Sequence, residues 1–258
     1  MHSDLAEVYD DSLCKPTGGL MAEKTVDLAN AMYGDKASAL PQKVVITLLE
    51  LLLIAFSAWL MFGGGEVLVA AFFDYEPAAT MPARRLVILS FSVIVLVRMS
   101  IMMFRFMKRN IPWAESLSVP LAFAIYYVGF ALFVLPTTAP LDYFDGLAIL
   151  IYAFGSYLNT AGELGRDRFK RRPENKGKLY TGGPFAWSMH INFFGDILWV
   201  CAYAIVSRNP WAMLVPVMLT LFFALVNVPA LDTYLAGRYG EEFAAYQKRT
   251  KRLIPFIW

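Results

Sequence analysis

The sequence predicts an all-α, polytopic integral membrane protein with six or seven transmembrane helices. Three observations predict it. Hydrophobic residues make up 58% of the 258-residue chain and charged residues only 17%. Mean hydropathy is +0.50, too apolar for an ordinary soluble domain. Several windows reach or approach the roughly 20 apolar residues that a helix needs to cross a bilayer.

In chain order, residues 1–42 are polar, with no continuous apolar core and no small-residue cleavage pattern, which argues against a cleaved signal peptide. They read as a tail or surface helix, with an amphipathic start after Met21. The expected spans are Val44 to Phe62, Leu86 to Phe104, Leu117 to Pro136, Leu147 to Leu158, Ile191 to Val206 and Trp211 to Ala230. The fourth and fifth are short or polar-ended. A shorter apolar piece, Val67 to Phe73, reads as an interfacial or re-entrant helix and accounts for the alternative count of seven. The membrane helices of residues 43–145 form an N-terminal half, and residues 146–258 a C-terminal half with the tail.

Basic residues set the orientation. Phe104 to Asn110, Gly165 to Lys178 and the tail YQKRTKR are basic, and a six-helix count puts all three on one side with both termini. That side is expected to be cytosolic; sequence does not select the membrane. The opposite loop LPTTAPLDYFDG has no Lys or Arg, and Arg84 and Arg85 are the contrary signal. The net charge of +2 carries little, because the basic clusters are local. Cys14 and Cys201 suggest neither a disulfide scaffold nor a metal site, and Cys201 reads as a small buried apolar residue.

The polar chemistry gathers in the C-terminal half. Asn159 and Glu163 stand four apart on the fourth helix, and Asn192 and Asp196 repeat that spacing on the fifth. A loop with seven Lys and Arg joins them. Charge alone reads as a topology signal with headgroup contact. The amides, carboxylates and aromatic rings of Tyr180, Trp187, Tyr234 and Tyr246 add the makings of a nucleotide site, since guanidinium and ammonium groups pair with phosphates and rings stack. No GxGxxG or GxxxxGK[ST] pattern is present, which argues against a Rossmann or P-loop mode. In the other half, Glu50 lies mid-helix in VVITLLELLLIAFSAWL, a costly place for an ionisable group. It reads either as a proton donor to substrate or as a structural partner of Arg98 on the second helix. Tyr126 and Tyr127 on the third helix are further candidate proton donors, with packing as the plainer reading.

The segment RFKRRPENKGKLYTGGPFAWSMHINFFGD resembles one shared by membrane sterol reductases and the steroid 5α-reductase superfamily. There a basic run and a glycine turn precede an R-H-x-N-Y-x-G-[DE] pattern. The ending, with Gly240, an acidic pair, Tyr246 and IPFIW, is similar to the same families' C terminus. The resemblance covers Gly155 to Trp258. It implies an NADPH-dependent oxidoreductase that reduces a carbon–carbon double bond in a sterol, steroid or other unsaturated lipid entering from the bilayer. It further implies that Asn159, Glu163, Arg168, Lys170 and Arg172 contact the nucleotide or its phosphates. His190, Asn192 and Asp196 would line the cleft, and Tyr234 and Tyr246 would close it. The partners implied are the lipid substrate and membrane lipids, with no nucleic acid; oligomeric state is not legible.

Departures from the pattern are Met189 for arginine and Phe193 for tyrosine. The 5α-reductases also carry a Gln-Glu pair on the first helix and a tyrosine on the second; this chain has Leu49 and Glu50, and no tyrosine on its second helix. An alternative is an S-adenosylmethionine-dependent methyltransferase of the isoprenylcysteine carboxyl type, which shares a similar tail and an Asn-Pro pair comparable to Asn209-Pro210. S-adenosylmethionine has no phosphate to call for seven cations, and Ile191 stands where those enzymes have proline. A lipid-binding relative without activity is the third reading.

Overall fold

The computed structural model describes residues 38–75 and 82–258. The expected amphipathic N-terminal segment and Cys14 lie outside the described residues. Among these residues the chain is all-helical, with one isolated bridge between Ser188 and Lys251 in place of any strand. The helices are α1 (Leu40–Phe62), α2 (Gly65–Phe73), α3 (Pro82–Arg105), α4 (Trp113–Val134), α5 (Tyr143–Lys170), α6 (Ile191–Ser207), α7 (Pro210–Tyr239) and α8 (Glu241–Arg249).

Of these, α1, α3, α4 and α7 are long and apolar enough to cross a membrane. Among the described residues four helices thus meet the length and apolarity of a span, where six or seven are expected. α5 has the length, but its last turns carry Glu163, Arg166, Asp167, Arg168 and Lys170, and α6 has 17 residues. α2 has nine residues and is too short to span. Outward faces are apolar: Leu52, Leu121, Leu150, Met218 and Leu225 are each about two-thirds exposed or more, as the surface of an integral membrane protein requires.

Helix direction alternates. Lys43 at the start of α1 donates through Nζ to the Met107 carbonyl just past α3, at 2.6 Å. At the other end the start of α3 meets the ends of α1, α4 and α6. Arg85 donates to Glu66 of α2 at 2.6 and 2.7 Å and to the Met61 and Leu135 carbonyls. Arg84 forks onto Asp145 of α5 at 2.5 and 2.9 Å and donates to the Ala139, Pro140 and Val206 carbonyls. This resolves their contrary charge signal, because both are buried and neutralised by carboxylates and do not act as loop charges.

The main core joins Ile88, Phe91 and Val95 of α3, Tyr127, Phe130 and Val134 of α4, Tyr152 of α5, and Trp199 and Tyr203 of α6. Phe91 stacks on Tyr152 with ring centroids 3.9 Å apart. Within α4, Pro120 removes one backbone donor, and residues Ile125–Gly129 form a π turn. Such turns recur at functional sites, and this one carries Tyr126 and Tyr127. Cys201 is half-buried and free.

Candidate functional site

α5 and α6 set the geometry of the C-terminal half. They cross at Gly155 and Gly195, where a Cβ on Gly155 would stand 2.5 Å from the Gly195 carbonyl and one on Gly195 would stand 2.6 Å from the Gly155 carbonyl. Only hydrogen fits at either position. One turn beyond the crossing, Asn159 Nδ2 donates to Asp196 Oδ1 at 2.9 Å, and Trp199 Nε1 donates to the same oxygen at 2.8 Å. Asn159 also approaches the Asn192 carbonyl at 3.4 Å. The spacing within each helix suggested two separate amide and carboxylate pairs; the structure pairs Asn159 with Asp196 between helices. Glu163 is engaged by Arg166.

At the tip of α5, Arg166 and Arg171 pair with Glu163 and Asp167, whereas Arg168, Lys170 and Arg172 form no ion pair among the described residues. Arg168, Lys170 and Arg172 are exposed. The glycine turn then brings Tyr180 back onto Gly165, where a Cβ would meet its hydroxyl at 2.5 Å. Tyr180 packs against Phe169 and Phe185, and Trp187 remains exposed.

His190 is fully buried. Its Nε2 lies 2.8 Å from Asp232 Oδ1 of α7, and the other carboxylate oxygen of Asp232 accepts from Arg252 Nε at 2.9 Å. Its Nδ1 is buried without a hydrogen-bond partner. The tail fixes this segment from below: Met189 N and His190 N donate to the Lys251 and Arg252 carbonyls at 2.8 and 3.0 Å, and Ser188 Oγ donates to Leu253 O at 2.9 Å. Tyr246 was expected to close a cleft. It is instead buried with Met189 and Phe243, donates to the Phe185 carbonyl, and burial pushes its hydroxyl pKa up. Tyr234 accepts from Arg238 Nη1 at 3.1 Å. Met189, the departure from arginine, is thus a core residue.

In the N-terminal half, Tyr127 OH donates to Glu50 Oε2 at 3.3 Å, both residues being buried. The backbone carbonyl of Tyr127 accepts from Ser57 of α1 at 2.8 Å, which fixes α4 against α1. Tyr126, one residue on, packs edge-to-face on Trp199 at 5.1 Å. Pairing of Glu50 with Arg98 is overturned: Glu50 bonds Tyr127, and the three guanidinium nitrogens of Arg98 are buried with no hydrogen-bond partner among the described residues. Sequence reading missed Trp199, Asp232, Arg252 and the Gly155–Gly195 contact. A small residue on each facing helix was the visible signal for the last; the others depend on long-range contacts.

Several known proteins are similar to parts of this chain. A probable O-methyltransferase, ustE, of Ustilaginoidea virens is 35% identical over 94 residues, covering 35% of this chain and 33% of the relative. The Delta(14)-sterol reductase erg24 of Schizosaccharomyces pombe is 31% identical over 130 residues, covering 43% and 30%. The Protein-S-isoprenylcysteine O-methyltransferase of Saccharomyces cerevisiae is 23% identical over 116 residues, covering 43% and 48%. The chain therefore spans about a third to a half of the length of these relatives, and the resemblance to sterol reductases and isoprenylcysteine methyltransferases holds. The pattern of the family described as "Protein of unknown function (DUF1295)" matches residues 57–250, three-quarters of the chain, and the chain belongs to that family.

Proposed function

We propose that the protein is an NADPH-dependent reductase of a carbon–carbon double bond in a sterol, steroid or other unsaturated lipid. The observation that carries this reading is the tip of α5, where Arg168, Lys170 and Arg172 stand exposed without ion-pair partners while neighbouring arginines are paired. Unpaired cations suit a phosphate-rich nucleotide. The buried Nδ1 of His190, without a hydrogen-bond partner among the described residues, is one more polar group in this half of the protein. Asn159 and Asp196, already joined, would orient the reactive end of the cofactor, with Asn192 beside them.

Bound NADPH would supply a hydride to one alkene carbon, and the neighbouring carbon would take a proton from the protein. Tyr127 and Glu50 share one hydrogen bond in a buried setting, an arrangement able to hold a proton and release it to substrate. Tyr126, next to Tyr127 in the chain, packs on Trp199. Residues 43–145 would form the lipid half and residues 146–258 the cofactor half, with the α5 tip, both termini and the basic loops in the cytosol. The exposed apolar face of α5, from Leu147 through Leu150 to Phe154, favours counting it among six membrane helices.

A second reading, an S-adenosylmethionine-dependent methyltransferase, is favoured by the names of two of the three relatives above. Against it, the Asn209-Pro210 pair has a local role: Asn209 Oδ1 accepts from Trp211 N at 3.0 Å and caps α7. A lipid-binding relative without activity is the third. Thermal stability in detergent separates them, because a ligand that binds only the folded state raises apparent stability. NADPH should raise the melting temperature. A rise with S-adenosylhomocysteine and none with NADPH would sink the reductase reading. Joint replacement of Arg168 and Arg172 by Gln should weaken NADPH more than NADH. Glu50→Gln and Tyr127→Phe should each lower turnover by about 10²-fold or more, and full activity in both removes the proton-donor role.

A further inference from the structure

The geometry points to Arg98 as the group that receives a carbonyl oxygen of the bound ligand, at the junction between the two halves of the protein. The inference rests on the reading of the site as one for an apolar ligand and its cofactor, and it adds a residue and an oxygen function that neither the resemblance nor the relatives assign.

Arg98 lies on the buried stripe of α3 that also carries Arg84, Ile88, Phe91 and Val95. It is 91% buried, and Nε, Nη1 and Nη2 all lack hydrogen-bond partners among the described residues. Seven residues, or about 10 Å at 1.5 Å per residue, separate it from the end of α3 that meets Lys43. That depth matches Asp196, five residues into α6 from the same end. Its guanidinium carbon stands 5.8 Å from the Trp199 ring centroid, and the same indole donates through Nε1 to Asp196 at 2.8 Å. No ion pair with Asp196 forms.

Five N–H donors and a fixed positive charge are thus presented without an acceptor, in a place where an unsatisfied charge is most costly. Arginine cannot escape by losing its proton. Glu50, the nearest alternative in sequence logic, is taken up by Tyr127. What is lacking is an acceptor, and Asp196 determines which kind. With Arg98 and Asp196 the cluster is already electrically balanced, so a carboxylate would add an unmatched negative charge. A neutral carbonyl oxygen accepts two N–H bonds from the guanidinium and leaves the balance intact. The edge of Tyr126 and the face of Trp199 provide an apolar wall for the carbon frame behind that oxygen. Two sources supply such an oxygen: a lipid ketone or enone, and the carboxamide of a nicotinamide.

The test uses full-length protein in detergent with four probes, followed by thermal shift and tryptophan fluorescence. A long-chain α,β-unsaturated methyl ketone is paired with its allylic alcohol, and NADPH is paired with 2′-phospho-ADP-ribose, which lacks the carboxamide. Wild type should prefer the ketone to the alcohol. Arg98→Met should cost the ketone at least about tenfold in affinity and the alcohol less, because a hydroxyl oxygen also accepts but brings a donor that needs its own partner, with Arg98→Lys in between because it keeps the charge and loses the fork. If the loss falls on NADPH and spares 2′-phospho-ADP-ribose, the oxygen is the carboxamide's. Two results overturn the proposal. One is equal affinity of wild type and Arg98→Met for every probe. The other is a ligand-free Arg98→Met protein that melts lower than wild type or fails to fold, because Arg98 is then a structural counter-charge for Asp196. Failure of wild type to bind NADPH sinks the reductase reading alone and leaves the ketone arm readable.

Discussion

Helix α3 buries three arginines, and they are treated in opposite ways. Arg84 and Arg85, at one end, each fork onto a carboxylate and use their remaining N–H groups on carbonyls from the ends of neighbouring segments. Arg98, four turns along the same buried stripe, has an indole beside it and no hydrogen-bond partner among the described residues. The first two show that this fold can give a buried guanidinium both a carboxylate and carbonyl acceptors when the cation joins helices. A guanidinium left open in the same helix marks a place reserved for something other than architecture.

The contrast can be broken from its paired side. Asp145→Asn leaves Arg84 charged and buried beside a neutral amide, and should cost about 3–5 kcal/mol, read as a lower midpoint of thermal or denaturant unfolding in detergent. Arg98→Met removes a charge that has no partner, so the ligand-free protein should match or exceed wild type in the same assay. Between these lies the helix contact that aligns Asn159 with Asp196. Gly155→Ala forces a methyl against the Gly195 carbonyl at 2.5 Å; about 1–3 kcal/mol of stability should be lost, and on the proposed reductase reading NADPH affinity should fall with it. Tyr246→Phe, which removes the bond to the Phe185 carbonyl, should cost about 1 kcal/mol without altering ligand affinity. Smallest is Glu163→Gln at the partly exposed pair with Arg166, expected below about 1 kcal/mol and weaker still at high salt.

The helices were legible in the sequence because runs such as residues 44–62 and 86–104 are apolar throughout, and apolar length is a local property. α5 was legible only in part, since its charged tip dilutes the run that its exposed Leu150 and Phe154 continue. In the C-terminal half the polar residues were legible as types and positions on their helices. Their partners were not. The i, i+4 rule describes neighbours on one helix, whereas Asn159 reaches Asp196 because two glycines let the backbones touch. His190, Asp232 and Arg252 meet through three segments far apart in the chain. Glu50 and Arg98 are the only charges in the interiors of their helices, so pairing them was the economical reading. The facing of each helix, which no single-helix pattern contains, gives Glu50 to Tyr127 and leaves Arg98 alone.

The contact between Gly155 and Gly195 bears on motion as well as on alignment. Two backbones in van der Waals contact have no side-chain layer to slide on, so α5 and α6 should move as one rigid plate. Any opening that admits a lipid then falls to the opposite wall, where the π turn of α4 loosens the helix beside Tyr126 and Tyr127. Amide exchange should register this as slow opening along the facing turns of α5 and α6 and faster opening around Ile125–Gly129.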